Sequence, residues 1–127
     1  MSVIKRLPDS EFEIMEIIWS EEVPVTTLQI MKRLESSKEI KMQTLLTMLI
    51  RLIDKGFLTS GRVGRNRDYT PVISKQEYMS VEIKSFMSRH YINSVGNLVK
   101  AFYDGLELSP KDERELTTWL IDRGLNK

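Results

Sequence analysis

A mainly α fold with one small β-hairpin is predicted for this chain of 127 residues, and three observations predict it. Apolar residues recur at helical spacing in six stretches, each with its own cap or breaker. Two short runs of strand composition bracket a loop rich in glycine and arginine, midway along the chain. Three helical patterns precede that hairpin and three follow it, which is the order of a winged helix-turn-helix over residues 1–73 and a three-helix dimerisation subdomain over 74–127.

The first helix begins after Pro8, with Asp9 or Ser10 as N-cap and Glu11 and Glu13 in the first turn, where the helix dipole favours carboxylates. Phe12, Met15, Ile18 and Trp19 form its expected buried stripe. Residues Glu21 to Pro24 break it, and Thr26 or Thr27 caps a second helix carrying Leu28, Met31 and Leu34. After a turn over Ser36 to Glu39, a third helix runs from about Lys41 to Lys55. Its Leu45, Met48, Leu49 and Leu52 face the core, and Gly56 stops it.

Turning the third helix by 100° per residue sets Gln43, Thr47 and Asp54 nearly opposite the core, with Thr44, Ile50 and Arg51 on the flanks. Amide and hydroxyl side chains suit base edges in a major groove, and Arg51 and Lys41 suit phosphates. A merely solvated face is the ordinary alternative for any amphipathic helix. The hairpin that follows argues against it. Phe57-Leu58-Thr59-Ser60 and Tyr69-Thr70-Pro71-Val72 read as strands around a loop that carries Arg62, Arg65 and Arg67, a basic tip able to reach phosphates. An ordinary exposed hairpin remains the alternative there.

Beyond the hairpin, Ser74 caps a helix to His90 with Tyr78, Val81, Ser85 and Phe86 on one side, and Ser94 to Tyr103 carries Val95, Leu98, Val99 and Phe102. Asp104-Gly105 breaks the chain. Ser109 and Pro110 open a last helix, with Asp112 and Glu113 in its first turn, then Leu116, Trp119 and Leu120. Three short helices without a domain-sized core need a partner surface, so a homodimer interface is expected at Leu98, Phe102, Leu116, Trp119 and Leu120. Packing back onto the first domain is the monomeric alternative.

Composition excludes several functions. The chain has no cysteine and one histidine, which rules out disulfides, thiolate metal sites and a zinc centre. No cofactor is expected. His90 has no serine or cysteine partner in reach of the pattern, a P-loop or dinucleotide fingerprint is absent, and the acidic pairs have dipole explanations, so the chain does not read as an enzyme. Apolar runs such as Met48-Leu49-Ile50 are too short to span a bilayer, and Met1 to Leu7 lacks a signal-peptide core, so a cytoplasmic protein without direct membrane binding is expected. The net charge of +1 conceals a partition. Residues 1–35 hold four Lys/Arg against seven Asp/Glu, residues 36–73 hold seven against three, and residues 74–127 hold eight against eight. Positive charge is thus concentrated on the third helix and the hairpin, which is what phosphate contacts require.

The run Thr44-Leu45-Leu46-Thr47-Met48-Leu49-Ile50-Arg51-Leu52-Ile53-Asp54-Lys55-Gly56-Phe57-Leu58 resembles the T-x-x-T-x-L-x-R-L-x-x-K-G-x-L core of the penicillinase-repressor and methicillin-repressor (BlaI/MecI) family. Leu7 to Met15 with Ile18-Trp19 resembles that family's opening helix, and Gly64-Arg65 to Tyr69-Thr70-Pro71 its wing. The resemblance implies a homodimeric transcriptional repressor of an antibiotic-resistance type, bound to double-stranded DNA at an inverted-repeat operator. It places Lys41, Gln43, Thr44 and Thr47 on bases, and Arg51, Arg62, Arg65 and Arg67 on the DNA backbone. Gln43 stands where some relatives carry lysine. It further implies release through a membrane-bound β-lactam-sensing protease pathway, with cleavage at Ala101-Phe102, where the staphylococcal pattern has asparagine before the phenylalanine. Two other readings share the fold: a winged-helix regulator released by a small ligand, and a protein-interaction module that docks through Met42, Leu46 and Ile50.

Overall fold

In the computed structural model, which describes residues 4–36, 39–90, 92–105 and 108–124, the chain forms α1 (Asp9–Ser20), β1 (Val25–Thr26), α2 (Thr27–Glu35), α3 (Met42–Asp54), β2 (Leu58–Val63), β3 (Asn66–Pro71), α4 (Lys75–Arg89), α5 (Val95–Gly105) and α6 (Pro110–Asp122). It divides into two compact units, Met1–Phe86 and Met87–Lys127. The predicted mainly α fold, six helices with a small antiparallel β element, is the observed one, and no helix among the described residues is long and apolar enough to cross a membrane.

Helix ends follow local chemistry, with one change. At α1 the cap position is Pro8, not Asp9 or Ser10: its carbonyl accepts from the backbone N–H groups of Glu11 at 3.1 Å and Phe12 at 2.9 Å, and no side chain caps the helix. Thr26 caps α2 through a capping box with Gln29, and Ser109 does the same for α6 with Asp112. Ser74 and Glu77 reciprocate at the start of α4. Gly56, at φ +84°, closes α3. Its N–H reaches the Ile53 carbonyl at 3.0 Å while that of Phe57 reaches the Leu52 carbonyl at 2.9 Å, the paired bonds of a Schellman motif that only a left-handed residue permits without strain.

The sheet contains a strand that the sequence does not announce. After the break at Glu21 to Pro24, Val25 and Thr26 pair with Tyr69 and Asp68, so β3 lies between β1 and β2. A two-residue strand carries no periodicity, and its partner lies more than forty residues away. The hairpin is also longer than expected. Leu58 pairs with Pro71 and the ladder continues to Val63 with Asn66, so most of the stretch read as a loop is strand, closed by a two-residue turn at Gly64 (φ +64°) and Arg65.

The core of the first unit is apolar and fully dry at Ile14, Ile18, Val25, Ile30, Leu45, Leu52 and Phe57. The expected stripe of α2 holds at Leu34, which is buried, and at Met31, which packs against the core, and is corrected at Leu28, which is 62% exposed while Ile30 faces inward. In α1, Met15 and Ile18 are buried as expected, Phe12 and Trp19 are half-buried against the core, and Ile14 and Ile17 join them. Tyr78 of α4 is also buried, with ring centroids 5.6 Å from both Phe12 and Phe57 and 5.9 Å from Trp19. Its hydroxyl accepts from the Leu7 N–H at 2.7 Å and donates to Glu82 Oε1 at 2.6 Å, which anchors the start of α4 to the chain entering α1. Burial and the bond to Glu82 both oppose the phenolate and push Tyr78 up to about 12.

The second unit is built differently. Neither α5 nor α6 buries any residue among those described. Helix α5 continues through Asp104 to Gly105, one turn fraction beyond the break expected there.

Candidate nucleic-acid interface

Helix α3 turns one face inward and leaves the other bare. Leu45, Met48, Leu49 and Leu52 are buried, while Lys41 at the cap position and Gln43, Thr44, Thr47 and Arg51 along the helix are exposed. The Thr47 hydroxyl donates to the Gln43 carbonyl at 3.0 Å, a bond to the preceding turn that fixes its rotamer. Beside this face Ser10, Ile40, Thr44, Thr47, Met48 and Arg51 line a shallow cleft of about 530 Å³, which brings the start of α1 next to the outward face of α3.

The wing presents its arginines by register. Arg62 and Arg67 are direct cross-strand partners and Arg65 occupies the turn; all three are exposed. Among the described residues, neither these three nor Arg51 has a carboxylate within salt-bridge distance, whereas Arg6, Arg33 and Lys75 are each paired, with Glu82, Glu21 and Glu16. Exposed cations left unpaired on the helix and on the wing are free to meet phosphates. Gly61 lets the wing close tightly, since a Cβ there would stand 2.9 Å from Asp68 Oδ1 of the opposite strand.

One positioning contact was not visible in the sequence. Glu11 is only 3% exposed, and its carboxylate holds Lys55 Nζ at 2.5 Å, tying the end of α3 to the first turn of α1. The dipole explanation for Glu11 is therefore incomplete. Its spacing of three, four and seven residues from Ile14, Met15 and Ile18 was the available signal that it lies on the buried stripe. Ile50, on a flank of the helical wheel, is 53% exposed.

The profile of the penicillinase repressor family matches residues 7–122. The chain belongs to that family. It is similar to the penicillinase repressor of Bacillus licheniformis, with 34% identity over 116 residues that span 91% of this chain and 90% of that protein. It is similar also to the methicillin resistance regulatory protein MecI of Staphylococcus aureus, at 24% identity over 87% of this chain and 89% of that one. Among solved structures, the DNA-binding domain of the repressor BlaI aligns with a TM-score of 0.54 and 36% identity, covering 61% of this chain and 94% of that domain. Monomeric Bacillus licheniformis BlaI in complex with the blaP half-operator aligns with a TM-score of 0.51, also at 36% identity and the same coverage. Penicillinase repressors are DNA-binding regulators, and this chain has their winged-helix fold.

The remaining sequence-derived positions fall in the second unit. Leu98, Leu116 and Leu120 are half-buried, Phe102 and Trp119 are 45% and 49% exposed, and Arg123 sits over the Trp119 ring at 4.6 Å from its centroid. Ala101 is exposed and the Ala101-Phe102 bond lies inside α5.

Proposed function

We propose that this penicillinase-repressor family member is a homodimeric transcriptional repressor that binds an inverted-repeat operator of a β-lactam-resistance type operon. The carrying observation is the bare face of α3, with Lys41, Gln43, Thr44 and Thr47 for bases and Arg51 beside them, on the same winged-helix unit as Arg62, Arg65 and Arg67 for phosphates. The half-operator complex of the Bacillus licheniformis relative supports DNA as the partner.

Dimerisation through the C-terminal part of residues 74–127 is supported by the apolar surface of the second unit, Met87–Lys127. Val95, Val99, Phe102, Tyr103, Trp119 and Ile121 are all exposed in the single chain, and an amphipathic helix with no buried residue has its apolar face available to a partner. Release follows cleavage at Ala101-Phe102 under a membrane-bound β-lactam-sensing protease pathway, since cutting α5 removes part of that surface and with it the second half-site.

Mobility shift with duplexes from the chain's own promoter region tests the reading. Binding to a two-fold symmetric site is expected, falling steeply with salt. Gln43→Ala should relax sequence discrimination, and Arg65→Ala should weaken specific and random DNA alike and lower the salt slope by about 1. Absence of salt-sensitive DNA binding would overturn it.

A further inference from the structure

We propose that Ile50, together with the methyl group of Thr47, reads thymine 5-methyl groups in the major groove, an inference that rests on the repressor reading above. Ile50 follows Thr47 by three residues and Gln43 by seven, so the three project from one side of α3, with Thr47 and Ile50 separated by about 4.5 Å along the axis. Single exposed isoleucines are ordinary on protein surfaces. This one is 53% exposed beside Thr47 and Asp54, where the outward face of α3 borders the edge of Met42 and Leu46.

The state of Thr47 supplies the second half of the argument. Its hydroxyl proton is committed to the Gln43 carbonyl at 3.0 Å, so the side chain has no donor left for a base. What it offers outward is a lone pair and a methyl. Of the four bases only thymine carries an apolar group on its major-groove edge, so two apolar groups side by side on a reading helix match thymine methyls and nothing else in that groove. A protein partner would instead use the edge of Met42, Leu46 and Ile50, where Leu46 is half-buried and Met42 is 37% exposed, a narrow surface interrupted at its centre.

The test uses the full chain and duplexes that it enriches from a random-sequence library. In each enriched duplex, thymines are replaced one at a time by uracil, which removes only the methyl. Wild-type affinity should fall roughly fourfold at one or two positions per half-site, the value of one buried methyl-sized group. The penalty at one position should vanish in Ile50→Ala. At the other, Thr47→Val should keep it and Thr47→Ser should lose it. Equal affinity for thymine and uracil duplexes at every position would overturn the inference while leaving the repressor reading intact. The same penalties persisting in Ile50→Ala and Thr47→Ser would overturn it too. If no duplex is enriched over random DNA, both fail, and loss of a captured protein partner in Ile50→Ala would then mark the edge as a protein-docking surface. All three substitutions fall at exposed positions, so unchanged thermal unfolding is expected to accompany them.

Discussion

Arg62 and Arg67 stand directly opposite each other across the two strands of the wing, and among the described residues neither has a carboxylate partner. Like charges in that relationship destabilise a hairpin by roughly 0.2–1 kcal/mol. Replacing Arg67 by Thr should therefore leave the fold as stable as before or slightly more so, while DNA affinity falls and the salt slope decreases by about 1. Thermal unfolding and mobility shift at several salt concentrations measure the two effects on the same protein. A loss of stability together with unchanged DNA affinity would show that the pair serves the hairpin and not the phosphates.

Lys55 and Glu11 make the opposite case, a pair whose carboxylate has almost no access to water. Lys55→Met should leave the Glu11 carboxylate buried and unpaired, at a cost of about 3 kcal/mol in urea unfolding. Combining it with Glu11→Leu should recover much of that loss, because both charges are then gone. If the double variant is no better than Lys55→Met alone, the ion pair is not what ties α3 to α1.

Tyr78 gives the fold an alkaline limit. Its folded pKa, about 12, lies above the ordinary phenol value of 10.0, so the folded state holds the proton more tightly than the unfolded chain does. Stability from this group is complete below pH 10 and is lost as pH rises toward 12, by up to about 3 kcal/mol. Tyr78→Phe should lower stability at neutral pH by about 1–3 kcal/mol, since the Leu7 N–H loses its acceptor. It should also flatten the alkaline decline. Parallel stability curves for wild type and variant between pH 9 and 11 (roughly the accessible range) would exclude Tyr78 as the source.

Self-association should depend on the exposed aromatics of the second unit. Trp119→Ala and Phe102→Ala each remove a side chain that is nearly half exposed in the single chain, and each should weaken the proposed dimer in sedimentation by more than 1 kcal/mol, about fivefold in dissociation constant. Both substitutions should leave the winged-helix unit folded. A dimer unaffected by either change would place the interface elsewhere.

Much of the fold was legible because its signals are local. The stripe of Leu45, Met48, Leu49 and Leu52, the Gly56 stop and the Ser109 cap are each written within a few residues and hold in three dimensions, and of the two caps open to α2, Thr26 and Thr27, the structure uses Thr26. Errors arose where a local rule had two outcomes. Leu28 and Ile30 both fit a helical stripe for α2, and only packing against the core selected Ile30. At α1, Asp9 and Ser10 were both acceptable caps, yet the Pro8 carbonyl begins the helix. For the candidate interface, the sequence points to Lys41, Gln43, Thr44, Thr47, Arg51 and the wing arginines, and places Ile50 on a flank of α3 and on the edge offered to a protein partner.

The amino-acid sequence by itself determined the number and kind of helices, the basic hairpin, and the polar face of α3, because periodicity, capping and charge act between near neighbours. Only the tertiary structure decided that Val25 and Thr26 become a third strand, that Glu11 grips Lys55, and that Arg62 faces Arg67. These relationships join residues whose meeting depends on strand register and on burial of a shared core. No pattern in a single short window fixes either.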